Sequence, residues 1–148
     1  MQFSTKMRYG SRALAELAAA HPEGTVPVRE LAEKQDISAK YLEQIMSRLK
    51  AAGIVEAVRG LHGGYRLAGP PGECRLSEVF AALEGSPAPV ACVDEPGECP
   101  LEGCCPTRAT WSEVKDAILE VLEDTTLREL AERIKEKRAR REAPMYYI

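Results

Sequence analysis

The fold is decided by residues 38–67, which read SAKYLEQIMSRLKAAGIVEAVRGLHGGYRL. The first half predicts an amphipathic helix that begins after Ser38, a residue whose hydroxyl suits an N-cap. Its inward positions are expected to be Leu42, Ile45, Leu49 and Ala52. The second half predicts a β-hairpin, because strand-like runs at 54–58 and 65–67 flank the glycine-rich tip RGLHGG.

Two further helices are predicted upstream of this unit. Residues 5–20 carry apolar side chains at helical spacing, and residues 26–35, which read VPVRELAEKQ, predict a short helix with Pro27 in its first turn. Only Asp36 and Ile37 connect the short helix to the one that begins after Ser38. Two helices joined by a tight turn and followed by a hairpin predict a mainly α fold, a winged helix-turn-helix.

The same pattern predicts a surface for double-stranded DNA. If the apolar stripe of the second helix points inward, the helix turns hydrogen-bonding side chains and its N-terminus toward solvent, where they can reach bases and phosphates. The candidate contacts are Ser38, Lys40, Tyr41, Glu43, Gln44 and Arg48 on the helix, and Arg59 and His62 on the wing. Arg59 is suited to a narrow minor groove. The alternative is a protein-binding module with a solvated helix.

Charge and composition agree with a DNA-binding half. The net charge is −3, but residues 1–68 carry ten Lys and Arg against seven Asp and Glu, whereas residues 69–148 carry ten against sixteen. No apolar run reaches the length of a membrane span, and MQFSTKMRYG lacks the core of a signal peptide, so we expect a cytoplasmic protein. An enzyme acting on a small-molecule substrate is not expected, because His21 and His62 fall at a helix end and on the wing tip, and the sequence shows no nucleophile–base pair or phosphate-binding motif.

Four stretches carry a resemblance to a known family: KMRYGSRALAELA, SAKYLEQIMSRLKAAGIV, VRGLHGGYRL and CPTRATW. Over residues 1–142 the chain resembles the bacterial winged-helix regulators of the IscR/NsrR iron–sulfur sensor family. The resemblance implies a homodimeric repressor with two reading heads on a pseudo-palindromic operator. It also implies a long dimerisation helix near residues 107–123. That helix has an apolar face of its own, formed by Trp111, Val114, Ile118, Val121 and Leu122.

The chain therefore divides into three predicted parts. Residues 1–72 form the winged helix-turn-helix domain. Residues 73–106 contain a short helix and a cysteine-rich loop. Residues 107–148 contain the dimerisation helix and a C-terminal helix. Thr126 and Glu129 predict a capping box at the start of the C-terminal helix, and its basic run KEKRARR is expected to be a solvated face.

The cysteine-rich loop reads CVDEPGECPLEGCCPTR over residues 92–108. It has almost no apolar side chains to bury, so little is expected to order it without a bound group. In a reducing compartment clustered thiols favour metal binding or redox sensing over structural disulfides. Three interpretations are open: an iron–sulfur cluster that senses iron–sulfur status, redox stress or nitric oxide, a structural zinc site, and a cluster-free thiol switch. Cys74 lies apart and is expected to be a small buried side chain.

The resemblance implies that Cys92, Cys99 and Cys105 ligate the cluster. Relatives of the IscR type place a histidine three residues after the last cysteine, where this chain has Arg108, whose guanidinium does not normally bind iron. Cys104 is an additional candidate ligand. Relatives of the NsrR type use a carboxylate near the partner's N-terminus, where this chain has Lys6, Met7 and Arg8. The fourth ligand, and with it a two-iron or a four-iron cluster, stays open.

Overall fold

The structure, a computed structural model, describes residues 3–97 and 99–142. The helices in these ranges are α1 (Thr5–Ala20), α2 (Val28–Gln35), α3 (Ala39–Ala51), α4 (Leu76–Leu83), α5 (Arg108–Asp124) and α6 (Leu127–Glu142). The strands β1 (Val55–Val58) and β2 (Gly64–Leu67) form an antiparallel hairpin between α3 and α4. The mainly α fold with a winged helix-turn-helix is confirmed. Within the described residues, no helix has both the length and the apolar character that a membrane span needs.

The core lies between α1, α2, α3 and α4, and residues of the hairpin, α5 and α6 add to it. The buried stripe of α3 consists of Leu42, Ile45, Met46 and Leu49, each at most 1% exposed. Ala52, expected inward from the sequence, is exposed because the helix ends at Ala51 and Ala52 is its C-cap. Met46 supplies the fourth buried position instead. The apolar area removed from water by this stripe fixes which face of α3 remains outside.

The helix-turn-helix has a short, well-bonded turn. Asp36 caps α2 in the left-handed conformation, at φ 55°, which the short side chain of Asp tolerates. The N–H of Ile37 then donates to the carbonyl of Ala32 at 3.1 Å. Ser38 is the N-cap of α3, as predicted, and its hydroxyl accepts a 3.1 Å hydrogen bond from the N–H of Tyr41. These bonds fix the angle at which α3 leaves the core.

The wing is tied to the helices by a backbone bridge. The hairpin pairs Val55 with Leu67 and Val58 with Gly64. Val26, just before α2, exchanges two 2.9 Å backbone hydrogen bonds with Tyr65. A side chain at Gly64 would collide with the Val26 carbonyl, so this position requires glycine. The wing therefore has a fixed position relative to the helix-turn-helix.

The C-terminal helices return to the same core. α4 packs on α1, α3 and α5, and α6 lies along α1. Leu122 at the end of α5 and Leu127 at the start of α6 are buried in the core cluster. The predicted capping box of α6 is confirmed: the N–H of Thr126 donates to the Glu129 carboxylate at 2.8 Å, and the N–H of Glu129 donates to the Thr126 hydroxyl at 3.3 Å.

A substitution at Gly10 can test how closely α1 packs on α3 and α4. A Cβ atom at this position would lie 2.6 Å from Leu83 Cδ1 and 3.1 Å from Ile45 Cγ2. Because both neighbours are buried, we expect Gly10→Val to lower the free energy of unfolding by about 1–3 kcal/mol, measured by urea denaturation. Gly103→Ala is the control, since nothing lies within 4 Å of its added Cβ. Equal stability of the wild type and Gly10→Val would contradict this packing.

Candidate nucleic-acid interface and cysteine loop

The outward face of α3 carries the predicted polar side chains. Lys40, Glu43, Gln44 and Arg48 are exposed, together with Ser47. Ser38 is also exposed; its hydroxyl accepts the N-cap bond from Tyr41 and keeps its O–H free to donate. Within the described residues, Lys40 and Arg48 form no ion pair, so their charges face solvent without a protein partner. The face offers donors and one carboxylate to base edges and phosphates.

Tyr41 differs from the predicted free side chain. It is half-buried: its hydroxyl lies 2.9 Å from Thr5 Oγ1, and its ring meets the ring of Tyr9 edge-on at 6.2 Å. The tyrosine therefore anchors the first turn of α3 to α1. A role at the DNA remains a prediction for the part of the side chain that is exposed.

Lys6 is a candidate contact that the sequence did not indicate. It lines the same shallow concavity as Lys40, Gln44 and Arg48, because the N-terminal end of α1 runs beside α3. Nothing in the linear sequence joins position 6 to position 40. The only available signal is that both helices pack through their apolar faces, which leaves their polar edges adjacent.

The wing presents its tip to solvent. Arg59 and His62 are both exposed, and the His62 carbonyl accepts a 2.6 Å hydrogen bond from the Thr25 hydroxyl. Arg66 is paired across the hairpin with Glu56 at 2.9 Å, whereas no ion pair of Arg59 is found in the described ranges. Because Arg59 has no such ion pair in these ranges, it is the wing cation best placed for a phosphate or a minor groove. The pKa of Tyr65, the wing residue bonded to Val26, is raised above its usual value by burial and by the charge of Glu43.

The cysteine loop is ordered by polar contacts around Arg108. It contains two short 3₁₀ turns, Ala91–Val93 and Glu102–Cys104. The Arg108 guanidinium donates to the Cys92 carbonyl at 3.3 Å and pairs with Glu102 at 3.1 Å. The Glu102 carboxylate also accepts a hydrogen bond from the N–H of Gly97. Arg108 therefore joins the two ends of the loop.

A second ion pair holds the loop to the long helix. Lys115 on α5 lies 2.5 Å from the Asp94 carboxylate, and this contact lowers the pKa of Asp94. α5 also packs on the 3₁₀ turn Ala91–Val93, so the stretch that contains Cys92 is held to the long helix. The sequence pattern predicted an unordered loop without a bound group, whereas side chains of the loop and of α5 supply partners for it.

The four loop thiols are free, and they do not converge. Among the described residues, no group of three or more His, Cys, Asp or Glu side chains is arranged to hold a metal ion. The ligand set Cys92, Cys99 and Cys105, with Cys104, therefore stays a prediction.

The thiols differ in acidity. Hydrogen bonds from Thr107 and the nearby Arg108 lower the pKa of Cys105, whose Sγ lies 3.5 Å from the Thr107 hydroxyl. Burial and the charge of Glu78 raise the pKa of Cys74 to about 11. Cys74, expected to be buried, is only half-buried and packs against the core from its edge. The Cys105 thiol is therefore the more acidic of the two, and the Cys74 thiol is the less reactive.

The apolar face of α5 is incompletely covered. Trp111 is 38% exposed and Val121 is 65% exposed, whereas Val114 and Ile118 are half-buried. Leu122, predicted on the same seam, is instead buried in the core of its own chain. The available seam therefore consists of four of the five predicted residues.

The fold and the outward face of α3 define a winged helix-turn-helix protein with a polar reading surface. Residues 3–133 match the family model Rrf2, described as an iron-dependent transcriptional regulator. The chain belongs to the Rrf2 family of transcriptional regulators. It is 37% identical over 148 residues to the HTH-type transcriptional regulator CymR of Bacillus subtilis, with full coverage of both chains.

Solved structures agree with this assignment. The structure of CymR, the global cysteine regulator of B. subtilis, superposes with a TM-score of 0.75 at 36% identity, covering 89% of this chain and 97% of that one. The T. potens IscR structure gives 0.73 at 34% identity, covering 99% and 97%. The oxidised form of Staphylococcus aureus CymR gives 0.71 at 35% identity, covering 89% and 97%.

The acidity of the thiols gives a chemical prediction for the metal-free, reduced protein. We expect iodoacetamide to modify Cys105 well before Cys74 near neutral pH, because a lowered pKa leaves a larger thiolate fraction at Cys105. Thr107→Val removes the main donor, so the pKa of Cys105 should rise and its rate should fall. Peptide mass spectrometry over a pH series gives both rates. Faster labelling of Cys74 would contradict the assigned environments.

Proposed function

We propose that the chain is a homodimeric, DNA-binding transcriptional repressor whose operator affinity depends on the state of the cysteine loop. The observation that supports this most is the placement of unpaired cations on α3 and the wing tip. Lys40, Arg48 and Arg59 are exposed without ion-pair partners among the described residues. We infer that α3 enters a major groove and that Arg59 enters the adjacent minor groove.

The uncovered face of α5 supports the dimer. Its 17 residues extend over about 25 Å, and Trp111, Val114 and Val121 keep exposed or half-buried apolar side chains along it. Ile118, on the same face, is half-buried and also packs against the core of its own chain. Two-fold symmetry would place the same seam of a second copy against this one, so that the two apolar faces cover each other. Two-fold symmetry would pair two α3 helices, which suits a pseudo-palindromic operator.

An iron–sulfur cluster is the sensor that we propose first. The donor set suits it, because Cys92, Cys99 and Cys105 lie in one loop and the pKa of Cys105 is lowered toward the thiolate that binds iron. Cys104 is the fourth thiol of the same loop. A bound cluster would supply a redox- and nitric-oxide-sensitive centre. The chain's own contribution is to hold the loop that carries these thiols, through the Asp94–Lys115 and Glu102–Arg108 ion pairs.

A cluster-free thiol switch is the second candidate, and two observations favour it. Arg108, Glu102 and Lys115 order the loop with protein contacts alone. Cys105, whose pKa is lowered by Thr107 and Arg108, is adjacent in sequence to the exposed Cys104. The similarity to the oxidised form of S. aureus CymR is consistent with oxidation chemistry in this family. A structural zinc site is the third candidate, resting on the four thiols.

Charge removal tests the reading surface. The operator is first enriched from a random duplex library by the wild-type protein, and affinity is then measured by fluorescence anisotropy over a salt series. We expect Arg48→Ala and Arg59→Ala each to weaken operator binding, and each lost phosphate contact to reduce the slope of log K against log salt by about 0.9.

The matched control is Arg140→Ala, which removes the same charge from the exposed end of α6. Its affinity and salt slope should stay close to those of the wild type. Wild-type affinity in both the Arg48 and the Arg59 variants would exclude the assigned groove contacts. Failure of the wild type to enrich any duplex would exclude the DNA-binding function.

The sensor is tested by anaerobic purification with a visible spectrum and assays of iron, sulfide and zinc on one sample. We expect a coloured protein that contains iron and acid-labile sulfide, and loss of the chromophore in Cys92→Ser, Cys99→Ser and Cys105→Ser. Cys74→Ser is the control and should keep its colour, since that thiol packs against the core. A colourless protein with stoichiometric zinc would support the zinc site, and a metal-free protein after reconstitution would support the thiol switch.

A further inference from the structure

The described chain holds one nearly buried carboxylate that joins three helices. Glu16 lies in the middle of α1, and its side chain is 10% exposed. Both of its oxygens lie 2.7 Å from Arg138 Nη2 on α6, and Oε2 lies 3.6 Å from Lys34 Nζ on α2. Lys34 is in turn paired with Glu30 at 2.8 Å. A charge so far from water requires such partners, because its desolvation is otherwise uncompensated.

Arg138 is the main attachment of the end of α6. Residues 135–142 are all exposed, so this part of the helix buries no apolar side chain. Within the described residues, the contact with Glu16 is the only hydrogen bond or ion pair from this stretch to another helix or strand. The predicted solvated face of KEKRARR is therefore interrupted at one position. Removing Arg138 would release the last two turns of α6 from α1.

Lys34 links α2, the first helix of the helix-turn-helix, to the carboxylate of Glu16. It is the penultimate residue of α2, and the turn at Asp36 that leads into α3 begins two residues later. α2 packs on α3 as well as on α1. A displacement of the Glu16 carboxylate thus acts on the end of α2 that sets the direction of α3.

The other end of the connection leads to the cysteine loop. α6 follows α5 after Thr125 and Thr126, and α5 begins at Arg108, the residue that joins the ends of the loop. The main chain beside this junction is hydrogen-bonded to the segment before α4, through Leu76 N–H to the Thr125 carbonyl at 2.8 Å and Leu127 N–H to the Cys74 carbonyl at 3.0 Å. α5, the hydrogen-bonded junction at Thr125 and Thr126, and α6 therefore form one path of contacts from the cysteine loop to Glu16.

We propose that Glu16 is a positioning residue that couples the C-terminal helix to the helix-turn-helix, so that the contact between Arg138 and Glu16 sets the orientation of α3 for operator binding. The proposal rests on the DNA-binding function proposed above. Glu16 acts through Lys34 and α2 and does not touch DNA. The contact gives the state of the loop a physical route to the reading surface.

The test compares Arg138→Met with Arg140→Met, which removes the same charge two residues further along α6. Hydrogen exchange of α2 and α3 is measured first, since it requires no DNA. We expect faster exchange at residues 31–38 in Arg138→Met, and exchange like the wild type in Arg140→Met. Operator affinity should fall at least about fivefold in Arg138→Met, the low end of typical coupling. Binding to a non-specific duplex should stay unchanged.

A double variant separates positioning from stability. In Glu16→Gln the buried charge is gone, so adding Arg138→Met should change operator affinity much less than it does in the wild type. Unchanged exchange of α2 and α3 in Arg138→Met would overturn the proposal. Equal weakening of Arg138→Met and Arg140→Met on both duplexes would also overturn it, because the arginines would then contact phosphates directly. If the wild type bound no duplex at all, the DNA-binding function would be refuted instead. Hydrogen exchange of α2 and α3 in Arg138→Met would still decide whether the contact between Arg138 and Glu16 acts on the helix-turn-helix.

Discussion

Burial of the apolar stripe of α3 against α1 is the constraint on which the rest of the structure depends. Leu42, Ile45 and Leu49 are almost completely removed from water, so the helix has a single orientation in the core. The polar face that remains outside is then not free to vary. The Ser38 cap and the left-handed Asp36 fix where this face begins, and the Val26–Tyr65 bridge fixes the wing beside it.

The sequence was sufficient for the parts of the fold that local chemistry determines. Helical spacing, the Ser38 cap, the Thr126–Glu129 capping box and the glycine-rich hairpin all predicted the observed elements, because each depends on residues close together in the chain. Lys6 and Arg138 were missed for the opposite reason. Their partners lie on other helices, and a single sequence does not show which polar edges become neighbours once the helices pack.

The end of α3 and the seam of α5 show a second limit of periodicity. Ala52 fits the helical repeat of α3 but falls after the helix has ended, so it is exposed. Leu122 fits the seam of α5 but turns into the core of its own chain, since α5 meets α4 at this end. A repeat predicts which residues share a face. It does not predict where the helix ends or which neighbour covers each part of that face.

The contacts of Arg108 are compatible with both a bound metal cluster and a cluster-free thiol switch. Its guanidinium contacts the carbonyl of Cys92 and leaves the Cys92 thiol free, so the arginine and a bound metal do not compete for the same atom. A cation next to Cys105 also stabilises a thiolate, whether that thiolate binds iron or reacts with an oxidant. Replacing the ligand histidine of the IscR type with arginine thus exchanges a donor for a positive charge. Any fourth ligand must then come from another residue, and Cys104 is the thiol that the loop itself provides.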